Sequence, residues 1–201
     1  NADAPGVLAK EAAESGAWLV HYSTDYVFDG SGELPWQEID ATGPLNVYGE
    51  TKLAGELAVR DSHCKHLIFR TSWVYAVRAA NFIHTMLRIA SEKDALKVID
   101  DQIGAPTGAE LIADVTTHAL CKARRTPELV GTYHLAAAGQ TSWHGDARFI
   151  IAKARENGWP VKVTDDAIEP VPSEAFETAA RRPLNSRLDL EAIERSFDLR
   201  M

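Results

Sequence analysis

The sequence predicts an α/β fold with a mainly parallel sheet, on three observations. Short apolar runs suited to buried strands occur at 18–23, 66–71, 96–99 and 132–135. Stretches of helical periodicity separate them, so strand and helix alternate. Clusters rich in Gly, Pro, Asp and Ser punctuate the joins.

The first helix is predicted at 5–15, with Asp3 and Pro5 as start signals, Val7, Leu8, Ala12 and Ala13 at helical spacing, and Gly16 as the stop. The first strand runs through Trp18, Leu19 and Val20. Residues 28–32 form a turn-rich loop, and 35–44 stay irregular. A second helix covers 47–60, with Leu53, Leu57 and Ala58 as its apolar stripe. The strand at 66–71 leads to a helix at 81–90, whose Phe82, Ile83, Met86 and Leu87 share a face. Strand 96–99, a loop at 100–107, a helix at 109–122 and strand 132–135 follow. Ser142 is placed to cap a helix reaching 156. A short strand is expected at 161–163, then irregular, proline-rich chain through Pro183 and a last helix at 189–197. There is no internal repeat or low-complexity segment.

At 201 residues the chain is the size of one domain, with or without a small lobe. A hydrophobic share of 45% leaves enough apolar surface for a core. The net charge of -8 argues against a nucleic-acid or anionic-membrane surface, while a few local arginines suffice for a phosphorylated ligand. Cys64 and Cys121 have no metal or redox spacing and read as free thiols. The seven histidines show no metal spacing, and no Gly-x-Ser-x-Gly elbow supports a serine hydrolase. No apolar run approaches a membrane span and no signal-like start is present, so a cytoplasmic protein is expected. The chain opens at Asn1 without a methionine and enters a helical pattern at once, which predicts a piece of something longer.

Chemistry concentrates at Tyr48 and Lys52. Four residues apart on a helix, they share one face. A hydroxyl-bearing residue at the carboxyl end of the preceding strand, in the run Ser23, Thr24, can face them across the mouth of a parallel sheet. A phenol, an ammonium and a hydroxyl together suit proton donation to a carbonyl that receives hydride. A free tyrosine ionises near pH ~10, so the Lys52 charge is expected to bring its proton affinity closer to working pH. The plain alternative is a surface helix pair.

The stretches 22–30 (YSTDYVFDG), 44–56 (PLNVYGETKLAGE), 69–75 (FRTSWVY), 101–107 (DQIGAPT) and 181–186 (RRPLNS) resemble the dTDP-4-dehydrorhamnose reductases, a family of extended short-chain dehydrogenase/reductases. The resemblance runs over nearly the whole chain in order. It implies the second half of a Rossmann-like sheet with a small C-terminal substrate-binding lobe. The chain 1–201 would be a partial reductase domain, its lobe drawn mainly from 101–130 and 160–201. The family's glycine-rich pyrophosphate turn has no counterpart here, which implies weak cofactor binding and little activity for this chain alone.

The resemblance also assigns roles. Hydride would come from NADPH or NADH and the proton from Tyr48, with Lys52 also bonding the nicotinamide ribose. Thr24 would bond the reacting oxygen; a strand-end hydroxyl that caps a backbone group is the alternative. Tyr26 and Trp73 resemble sugar-contacting aromatics, against ordinary core packing. Asp25 would touch the substrate, against a turn-forming role. Gln102, Pro106 and Arg182 would line the nucleotide-sugar side, with the Arg182 guanidinium forking onto a diphosphate, against a solvated arginine pair. Glu110 matches a position linked to magnesium at a subunit contact, although one exposed carboxylate is a poor magnesium site.

The implied partners are a dTDP-sugar and a second copy of the chain covering an open sheet edge. Two rival readings are a non-catalytic regulatory subunit on the same scaffold, like that of methionine adenosyltransferase, and a nucleotide-sugar epimerase or dehydratase.

Overall fold

The computed structural model describes residues 1–78 and 80–201. Helix α1 (Asp3–Ser15) ends at Gly16, whose left-handed backbone (φ 69°) lets its N–H close onto the Ala12 and Ala13 carbonyls. Strand β1 (Trp18–Thr24) follows, then helix α2 (Val47–Asp61) and strand β2 (Lys65–Thr71). Strand β3 (Val74–Tyr75), helix α3 (Phe82–Glu92) and strand β4 (Leu96–Ile99) lead to two short strands, β5 (Ile103–Gly104) and β6 (Thr107–Gly108). Helix α4 (Ala109–Ala123), strands β7 (Gly131–His134) and β8 (Thr141–Ser142), helix α5 (Trp143–Glu156), strand β9 (Ile168–Val171) and helix α6 (Glu191–Phe197) complete the order.

The main sheet is β1-β2-β7, all parallel, with Thr24 opposite Thr71 and Leu67 opposite Gly131. Central β2 sends alternate side chains to opposite faces. Leu67 and Phe69 meet Ile112, Val115 and Ala119 of α4 and Phe197 of α6. Ile68 meets Ala9 of α1 and Val59 of α2. Arg70, on that second face, is buried against Glu56 of α2 through bonds of 2.7 Å (Nη2 to Oε2) and 3.0 Å (Nε to Oε1). A second core gathers Met86 and Ala90 of α3, Val98 of β4, Ile151 of α5 and Ile168 of β9. This is the Rossmann-like parallel architecture expected. Of the segments expected in a substrate lobe, α4 packs on the main sheet, whereas β9 pairs with β4 in the second core.

One element moves. The strand expected at 161–163 is absent; the pairing with β4 is made by Ile168–Val171, in parallel register. Lys162 N–H instead bonds the Ala90 carbonyl at 2.9 Å, and Val163 fills the second core from an irregular segment. Apolar burial, not a strand ladder, explains that valine. The loop at 100–107 also contains β5 and the first residue of β6, both strands too short to show as periodicity. Cys64 and Cys121 are both free. Among the described residues no helix is long and apolar enough to cross a membrane.

Candidate active site

Strand β1 delivers Thr24 to the mouth of the sheet. Its hydroxyl accepts from the Tyr26 N–H at 3.2 Å and donates to Asp25 Oδ1 at 3.0 Å. Helix α2 starts opposite, where Asn46 Oδ1 caps the Gly49 N–H at 2.9 Å. Gly49 permits a very close approach: a Cβ there would lie 2.2 Å from the Tyr26 carbonyl oxygen. Tyr48 is thereby held beside Thr24, whose hydroxyl is near enough to lower the phenol's pKa. The Tyr26 and Tyr48 rings meet edge-on at 5.5 Å. One turn along, the Lys52 ammonium donates to the Tyr22 carbonyl at 2.5 Å, two residues before Thr24. Tyr48, Lys52 and Thr24 therefore share one small region, and Tyr48 is 47% exposed within it.

The electrostatics depart from the sequence reading. Burial pushes the Tyr48 phenol above its ordinary value; the Thr24 hydroxyl pulls it down and the Asp25 carboxyl pushes it up again. Lys52 is not among the causes. Its ammonium donates to the Tyr22 carbonyl, and burial draws its own pKa down while Glu56 supports it. The expectation that Lys52 acidifies Tyr48 is therefore not met here.

Two buried groups nearby titrate in opposite senses. Asp25, 2% exposed, is pushed up to about 6 by burial, against hydrogen bonds from Ser186 and Thr24. The folded chain thus binds its proton more tightly than the unfolded chain (about 3.9), and its share of stability falls as pH rises from about 4 to 6. His134, the last residue of β7, is held down to about 3 by burial and then by the Arg70 charge. Its share is present above about 6.5 and is lost as pH falls toward 3.

Two clefts open around this point. The first, of about 700 Å³, is lined by Tyr26, Asn46, Tyr48, Ala180, Arg181 and Arg182. The second, of about 550 Å³, has Phe82, Lys97, Trp143, Phe176, Thr178 and Arg182 on its walls. Arg182 belongs to both; burial and then Asp25 raise the Tyr26 pKa, and the nearby Arg182 charge offsets part of that rise. Asn46 Nδ2 fastens the Arg181 carbonyl at 2.8 Å and so ties this segment to the start of α2. Sequence reasoning missed Lys97, Phe82, Trp143 and Phe176; the first three come from α3, β4 and α5, and only the fold brings them together.

A family profile described as the RmlD substrate binding domain matches residues 1–201. The chain belongs to that family. It is 56% identical over 199 residues to a dTDP-4-dehydrorhamnose reductase of Salmonella typhimurium and 54% identical to that of Escherichia coli K12, in each case over 99% of this chain and 66% of the relative. It thus spans 66% of the length of these curated relatives. A solved dTDP-4-dehydrorhamnose reductase from Bacillus anthracis, in complex with NADP, superposes with a TM-score of 0.85 at 35% identity, covering 100% of this chain and 67% of the other.

Within this RmlD-type domain the remaining expected site residues are dispersed. Trp73, in a left-handed backbone conformation (φ 48°), stacks on Trp143 at 3.6 Å and lies over Gly104, where a Cβ would come within 2.7 Å of its ring. Gln102 is 5% exposed and uses both ends of its amide inside the protein, donating to Ser173 Oγ at 2.9 Å and accepting from Trp143 Nε1 at 3.1 Å. Pro106 lines a third cleft of about 500 Å³ with Tyr75 and Asp146, apart from Tyr48. Glu110 is exposed at the start of α4. Among the described residues no group of three or more His, Cys, Asp or Glu side chains is placed to hold a metal.

Proposed function

We propose that this protein reduces dTDP-4-dehydro-L-rhamnose to dTDP-L-rhamnose, with Tyr48 as proton donor. The observation that carries the reading is the convergence of Tyr48, Thr24 and Lys52 at the mouth of a parallel sheet, in a chain 56% identical to a dTDP-4-dehydrorhamnose reductase. NADPH or NADH would supply the hydride; the NADP-bound relative at 35% identity supports that choice. Lys52 fits such a cofactor, because one of its three N–H donors is used on Tyr22 and the others are available to a ribose.

A donor must keep its proton until the carbonyl accepts hydride, and a phenol with raised pKa is protonated at neutral pH. Thr24, whose hydroxyl offsets part of the rise in the phenol's pKa, stands beside Tyr48 and would orient the phenol toward the ketone. The ketosugar would occupy the first cleft beside Tyr26 and Tyr48, with its diphosphate on Arg182 and the base among the second cleft's aromatics. Substrate contacts would come mainly from 101–130 and 160–201. Trp73, Gln102 and Pro106 would then shape this side rather than act in the chemistry.

We also take this 201-residue chain to form a homodimer. Strand β1 pairs only with β2, leaving its other edge open among the described residues. Light scattering at working concentration checks this, and a monomer contradicts it.

The functional test is oxidation of NADPH by the full-length protein in the presence of dTDP-4-dehydro-L-rhamnose. One dTDP-L-rhamnose per NADPH consumed is expected. No oxidation, or NAD retained through purification, contradicts the reductase reading and favours the regulatory or epimerase alternatives respectively.

A further inference from the structure

The segment 172–182 crosses the second cleft as an irregular strap with a single 3-10 turn (Ser173–Ala175). It carries Phe176, Thr178 and Arg182 into the cleft wall. A strap without a strand ladder needs fixed ends to present these side chains in one arrangement. Its far end is held by Asn46 on the Arg181 carbonyl. Its near end is held by a chain of buried and half-buried polar bonds that the proposed chemistry does not use. Asp101 Oδ2 accepts the Ser173 N–H at 2.8 Å, and Oδ1 accepts the Ser173 hydroxyl at 2.6 Å. The Ser173 oxygen in turn accepts from Gln102 Nε2, and Gln102 Oε1 accepts from Trp143 on the opposite wall.

We propose that Asp101 and Ser173 are positioning residues for the nucleotide diphosphate: they clasp the strap so that Phe176 and Arg182 face Trp143 across a preformed cleft. The inference rests on assigning a dTDP-sugar to these clefts. Both donors of Ser173 point at one carboxylate, whose two oxygens are both acceptors. An asparagine at 101 offers one acceptor and one donor, so it necessarily opposes one of the two bonds. An alanine at 173 removes the hydroxyl and leaves the Gln102 amide without its acceptor, which loosens Trp143 as well. Ordering the strap at the moment of binding would then draw on binding free energy, and affinity falls.

The test uses the full-length protein with dTDP as the probe, titrated by calorimetry. Wild type is expected to bind dTDP; Asp101→Asn and Ser173→Ala are each expected to weaken it by about tenfold, the loss of roughly one charge-assisted bond. Ser173→Thr, which keeps the hydroxyl, is expected to stay within about threefold of wild type. NADPH affinity should be unchanged in all three, a result that general damage to the fold would not give. Ser173→Ala keeps the backbone bond to Asp101 and serves should Asp101→Asn fold poorly. Unchanged dTDP affinity in Ser173→Ala, or no dTDP binding by wild type, overturns the proposal. Wild type that binds dTDP without oxidising NADPH defeats the reductase reading, and the variants still decide the strap.

Discussion

Replacing Glu56 by glutamine leaves the Arg70 guanidinium buried without its countercharge. Glu56 is 0% exposed and Arg70 is 2% exposed. Three contacts join them, at 2.7, 3.0 and 3.3 Å, in a forked geometry. Arg70 also lies 5.0 Å from the centre of the Phe28 ring and reaches the Glu38 carbonyl at 3.4 Å, but neither neutralises it. Removing one partner of a buried pair costs about 3–5 kcal/mol, because the remaining charge stays desolvated. In a chain of this size each kcal/mol lowers Tm by about 2–4 °C, so a fall of about 6–20 °C is expected. Urea unfolding with the m-value held common gives the free energy directly. The double variant Glu56→Leu, Arg70→Met, which leaves no charge, should recover much of the loss. A single-variant loss below about 1 kcal/mol, or a double variant no better than the single, would refute the argument that this pair anchors α2 to β2.

Asp25→Asn removes the carboxyl whose falling contribution offsets the rising contribution of His134 between about pH 4 and 6. The variant should therefore lose stability on acidification through that window more steeply than wild type, by up to about 1.4 kcal/mol per pH unit, and equal slopes in urea unfolding contradict this. Gly49→Ala drives a methyl into the Tyr26 carbonyl and pushes α2 away from β1. A loss of about 1–3 kcal/mol in stability and of at least about tenfold in turnover is expected, and wild-type values in both would rule out the close approach. Lys52→Met deletes the bond to the Tyr22 carbonyl and the donors proposed for the ribose, so KM for NADPH should rise by about tenfold or more while dTDP affinity holds.

The elements that position Tyr48 were legible because local signals agreed there. The stripe of Leu53, Leu57 and Ala58 announces α2, the run from Trp18 announces a buried strand, and Tyr48 and Lys52 sit one turn apart whatever the surroundings. The strand at 161–163 was misplaced because Val161 and Val163 look like strand residues, yet a buried valine in an irregular segment has the same composition. Pro170 hid the true strand, since proline is tolerated only where no ladder donor is needed. The effect of Lys52 on Tyr48 was illegible for another reason. Spacing gives a shared helix face, but the ammonium's partner depends on the backbone of a different element. Gln102 was singled out from resemblance alone, and its two internal bonds, to residues 41 and 71 positions away, were illegible because they exist only in the folded chain.

Tyr48→Phe in the full-length protein is the most direct measurement. The change keeps the ring that packs on Tyr26 and removes only the hydroxyl proposed to give the proton. Turnover of the ketosugar should drop by about 10²–10⁴-fold with dTDP affinity within about twofold of wild type. Turnover that survives the loss of this hydroxyl would show that another group protonates the sugar, and the reading of this site would be wrong.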